Sequence, residues 1–96
     1  MTLTTDESEL YAMSEQELLR HGRAVQQYCD AAQRSWVTFN VEVLGLPPDC
    51  RPQDAQAAAA AAGLRERSIE LWRAIRTAEE LQRAFSETLR RRGLGR

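Results

Sequence analysis

Lysine is absent from this chain: all thirteen of its basic side chains are arginine. Fourteen acidic residues offset them and leave a net charge of -1. Without a basic excess the chain has little to displace counterions from a phosphate backbone, which argues against nucleic acid as a partner. Aromatic residues make up only 6%, so a deep core of large rings is not expected. No apolar run approaches the about eighteen residues that a membrane-spanning helix needs. The acidic start lacks the basic-then-apolar profile of a secretory leader.

Residues that carry chemistry are equally scarce. The one histidine, His21, has only Glu17 four residues before it, a spacing that offers a local helix pair and no nucleophile. Cys29 and Cys50 lie twenty-one residues apart with no C-x-x-C or histidine companion, so a zinc site is not expected. Cys29 reads as a small core residue and Cys50 as a loop residue in a reduced, cytoplasmic protein. Neighbouring carboxylates such as Glu79 and Glu80 fall at helical spacing from Arg76 and Arg83, as ion pairs on a solvated face do. No phosphate loop, nucleophile elbow or metal-helix motif is present. The expectation is a non-enzymatic protein with no catalytic residue, no cofactor and no metal.

What the chain does contain is helical pattern. Its 96 residues suffice for one domain at most. Residues 1–13 are acidic and sparsely apolar, and are expected to be a flexible segment with room for one helical turn through Glu7–Tyr11. Ser14 followed by Glu17 forms a capping box, with Met13 and Leu18 placed as a hydrophobic staple, so a helix is predicted to start at residue 14. Apolar and small residues then recur at Leu18, Gly22, Val25, Cys29, Ala32, Trp36, Phe39 and Val43. These spacings alternate four and three, the period of a coiled-coil seam. The stretch from Val37 to Val43 also alternates apolar and polar as a strand would. No other segment could pair with such a strand, so the helix is preferred through residue 44.

Gly45 and the prolines at 47, 48 and 52 break the helix and leave a loop over 45–52. From residue 53 to 92 only Gly63 interrupts helical character, and a single second helix is predicted there. The alanine run 57–62 has the highest intrinsic helix propensity. Leu71, Ile75, Phe85 and Leu89 continue a seam, and the arginines at 90–92 suit the helix C-terminus. Residues 93–96 form a tail. The two helices do not match in length unless Gly63 breaks the second or the N-terminal segment extends the first.

These elements predict an all-α antiparallel hairpin of two long helices. One seam cannot hold Val37, Val41, Leu44, Trp72 and Leu81 together with the residues named above, and Leu19 is likewise left over. Leaving several such side chains wet forfeits several kcal/mol at about 25 cal/mol per Å², so they are expected to form an interaction surface. A homodimer completing a four-helix bundle, or a helical protein partner, would cover it. Gly22, in a seam position, predicts close approach of a large residue from the second helix, Phe85 or Ile75. The acidic N-terminal segment and the arginine-rich C-terminus should attract each other in an antiparallel pairing.

In outline the chain resembles two-helix secretion chaperones, and also the alanine-rich helical phasins that coat polymer granules. The likeness is one of architecture and composition, and it assigns no residue a role. It implies a small adaptor or chaperone-like protein. A protein bound to a lipid membrane or polymer-granule surface is the alternative, and a nucleic-acid-associated or inhibitory protein the further one.

Overall fold

The computed structural model describes residues 3–94, which are helical without any strand. Four α-helices follow in order: α1, Glu7–Ala12; α2, Glu15–Thr38; α3, Pro52–Ala61; and α4, Arg65–Arg91. A π-helical turn, Phe39–Val43, extends the end of α2. Packing divides the chain into two units, one made of Met1–Asp30 with Thr77–Arg96 and the other of Ala31–Arg76.

In the first unit, α1 forms at the turn Glu7–Tyr11, within a segment otherwise expected to be flexible. The Asp6 side chain accepts hydrogen bonds from the backbone N–H of Ser8 at 2.9 Å and of Glu9 at 3.4 Å, which satisfies two of the orphan donors at a helix start. Leu10, the helix's one large aliphatic residue, is completely buried and anchors it. The capping box of α2 is present as anticipated. Ser14 Oγ accepts from the Glu17 N–H at 3.1 Å, and Glu17 Oε1 accepts from the Ser14 N–H at 3.4 Å.

Residues of α2 and α4 then pair in opposite directions. The Phe85 ring covers Gly22, and the Cys29 thiol donates to the Ala78 carbonyl at 3.5 Å. The opposed charges of the two termini meet in this unit. Arg91 reaches Glu7 at 2.9 Å, and Arg92 donates to the Met13 carbonyl at 2.6 Å.

The second unit corrects two expectations. First, residues 53–92 are not one helix: Gly63, at φ +75°, ends α3. The Leu64 N–H closes back on the Ala59 carbonyl at 2.7 Å and the Gly63 N–H on the Ala60 carbonyl at 3.1 Å. The left-handed glycine permits this helix-ending turn at no Cβ cost, and the adjoining alanines' propensity does not override it. Second, the strand-like stretch 37–43 is helical but widened. The Leu44 N–H bonds to the Phe39 carbonyl five residues back, at 3.1 Å. Five-residue bonding puts more residues into the turn, so Val43 no longer falls over Phe39. It is 57% exposed and does not belong to the seam.

The core of this unit consists of Trp36, Phe39, Ala55, Ala59 and Leu71. Ala55 and Ala59 are completely buried. Their methyl side chains give α3 a flat face on which large rings can rest. The Trp36 and Trp72 rings stack tilted beside it, with centroids 5.2 Å apart.

Candidate functional site

The residues expected to pack along a seam divide by burial. Leu18, Val25, Ala32, Trp36, Phe39 and Leu71 are buried, while Gly22, Cys29, Ile75, Phe85 and Leu89 are half-buried. The expected interaction surface is changed more. Leu81 is 4% exposed, a core residue and no surface at all. Val37, Leu44 and Trp72 are half-buried and pack against the core to which α3 contributes Ala55 and Ala59; Val41 is half-buried too. The break at Gly63 lets the alanine-rich segment fold back as its own helix, so much of the apolar surface thought to need a partner is covered within the chain.

Apolar surface remains elsewhere. In the first unit a groove of about 430 Å³ is lined by Leu18, Leu19, Gly22, Phe85, Leu89 and Leu94, with Glu15, Arg23 and Gln26 beside them. Leu19 is 59% exposed and Leu94 42%. The groove follows from the local sequence. Leu18 points inward, Leu19 follows it on the outer side, and Gly22 contributes no side chain. Phe85 fills that gap: a Cβ built on Gly22 would stand 2.9 Å from Cε2 and 3.0 Å from Cε1 of the ring, with Cζ closer still. The close neighbour anticipated for Gly22 is therefore Phe85. Glu15, Leu19 and Arg23 recur every four residues on α2, so one short stripe carries an acid, an exposed leucine and a base.

Beneath the groove lies a group that periodicity could have revealed. His21 is completely buried, three residues after Leu18 and four before Val25, on a second inward stripe. Its ring stands 6.1 Å from that of Phe85, tilted by 37°. Neither ring nitrogen has a hydrogen-bond partner among the described residues. Burial pushes the imidazole below its ordinary value, opposed weakly by the nearby Thr4 backbone, which lies outside hydrogen-bond geometry. His21 is thus a neutral packing residue, and its unpartnered nitrogens cost stability. Asn40, Ser68 and Thr88 are also buried. The Thr88 hydroxyl donates to the Ala84 carbonyl at 2.9 Å, while Ser68 Oγ and Asn40 Oδ1 have no partner among the described residues.

The remaining titratable groups are occupied in simple ways. Burial, reinforced by the Asp30 charge, pushes the Cys29 thiol up, which disfavours the thiolate. Both cysteines are free thiols. Glu87 hydrogen-bonds Arg90 and Arg91, and these bonds hold its carboxyl below the usual range. Among the described residues no cluster of three or more His, Cys, Asp or Glu side chains converges as metal ligands would, and no helix is long and apolar enough to cross a membrane. Compared with known protein families, curated proteins and solved structures, the chain gives no match. The groove's own geometry has to carry the functional argument.

Proposed function

We propose that the chain is a non-enzymatic interaction module, a small helical adaptor or chaperone-like protein that binds a helix in the Leu19 groove. The observation that carries this reading is the groove itself, whose lining of Leu18, Leu19, Phe85, Leu89 and Leu94 leaves aliphatic surface exposed. Amphipathic helices bind such grooves through apolar side chains spaced three and four residues apart. In the first unit α2 and α4 residues pair in opposite directions, Gly22 with Phe85 and Cys29 with Ala78, which supports the antiparallel hairpin. A four-helix arrangement follows when a second hairpin or a helical partner covers the groove.

A photo-crosslinking amino acid placed at Leu19 in the native cell tests the reading, with the same group at exposed Gln27 as control. Discrete protein adducts from position 19 that are missing from position 27 are the expected result. Lipid or polymer adducts without any protein adduct would overturn it and favour the surface-binding alternative.

A further inference from the structure

Resting on that reading, the geometry points to a second copy of this chain as the occupant of the groove. The two α2 helices would lie antiparallel about a twofold axis at Leu19. In such a pairing a residue some number of positions before Leu19 faces the residue the same number after it on the other copy. Glu15 and Arg23 lie four before and four after, and both line the groove beside the exposed leucine. The twofold therefore sets Glu15 against the partner subunit's Arg23, and Arg23 against the partner subunit's Glu15. A residue stripe that reads acid, leucine, base is complementary to its own reverse, which is what an isologous interface requires.

Two features of the stripe favour this occupant. Neither Glu15 nor Arg23 is engaged in an ion pair with another described residue, so both are available. The parallel arrangement would oppose Glu15 to Glu15 and Arg23 to Arg23, so charge selects one orientation as well as one partner. A lipid surface would instead call for arginines around the apolar strip, whereas this rim carries one charge of each sign.

Sedimentation equilibrium on the full chain tests the proposal. At micromolar concentration the wild type should approach twice the 10.9 kDa chain mass. Leu19→Glu should be a monomer. Glu15→Arg makes the stripe wholly basic and Arg23→Glu makes it wholly acidic, so each alone should weaken dimerisation about tenfold or more through like-charge opposition. Mixed in equal amounts, the two variants should associate with each other as well as the wild type does with itself. All these positions are exposed, and circular dichroism is to check that each variant is folded.

A monomeric wild type overturns the proposal, as does a dimer that none of the three variants weakens. Failure of the mixed variants to associate refutes the antiparallel register. A monomer that still gives position-19 adducts with another protein leaves the interaction reading standing and removes only the second copy. A monomer that co-sediments with neutral phospholipid vesicles gives the groove to lipid instead.

Discussion

Replacing Gly22 by alanine sets two opposed effects against each other. Alanine in a helix interior is favoured over glycine by about 1 kcal/mol. Yet the new Cβ would intrude on the Phe85 ring, 2.9 Å from Cε2 and 3.0 Å from Cε1, and nearer still to Cζ. Phe85 cannot simply sink away, because the completely buried His21 ring lies beside it at 6.1 Å. Overpacking of this kind costs about 1–3 kcal/mol. The steric effect should win, and Gly22→Ala should destabilise by about 1 kcal/mol net, as about 2 of overpacking less about 1 of propensity. Gly22→Leu should cost more.

Removing the ring reverses the sign. In a Phe85→Ala background the same Gly22→Ala change should stabilise by about 1 kcal/mol, since only propensity remains. The double-mutant cycle should give a coupling of about 2 kcal/mol, within the range for residues in contact. Urea melts with unchanged m-values would measure it. The cycle is best run in the Leu19→Glu background, so that any self-association does not contribute to the midpoints. A rise of equal size in both backgrounds would refute the placement of Phe85 on Gly22.

Burial lowers the His21 pKa in the fold, so the unfolded chain takes up the proton first as pH falls. Stability should begin to drop near pH 6.5, the ordinary histidine value, with a slope of at most about 1.4 kcal/mol per pH unit. In His21→Leu, urea midpoints should be flat over that window; an equal slope in the variant would assign the loss elsewhere. Glu87 acts lower: its depressed pKa contributes stability above the ordinary carboxylate range that is lost as pH falls through it. Ala59→Leu should overpack the face between α3 and the core rings by about 1–3 kcal/mol and alter tryptophan emission, while a neutral melt would show that α3 does not rest there. Leu10→Ala should release α1, seen as faster amide exchange over residues 7–13 with residues 52–61 unchanged; protection that persists would refute the anchoring role of Leu10.

Much of the helical layout was legible from neighbours in the chain. Ser14 and Glu17 announced the start of α2, and Gly45 with its following prolines announced the loop. The preference for helix over strand at 37–43 also holds, for the reason given by the sequence itself: no second strand exists among the described residues to pair with it. The π-helical widening was not legible. It is seen only in the second unit's tertiary structure, where Phe39 and Asn40 within the turn are both buried. The α1 cap was readable in principle, since Asp6 precedes a run with Glu9 three residues later. With Leu10 as its only firmly apolar position, that run gave no periodicity to notice.

The candidate site divides in the same way. Gly22 in a seam position implied a large neighbour across the interface, and Phe85 is that neighbour. Trp72 was set aside for a partner because one seam between two uninterrupted helices has no room for it. That reasoning took Gly63 as continuous with its flanks. Once Gly63 adopts a positive φ, α3 becomes a third element and the apolar surface near it is covered from within.

The start of α2 and the loop that follows it were therefore determined by the sequence alone, because capping and proline exclusion act over a few residues. Which apolar faces stayed exposed was decided only by tertiary structure. Burial depends on which distant segment returns to lie on a given face, and a stripe of leucines has the same periodicity whether or not anything covers it. Leu19 and Leu81 show the difference. Both are leucines outside the simple seam; one stands 59% exposed beside the groove, and the other is 4% exposed in the core.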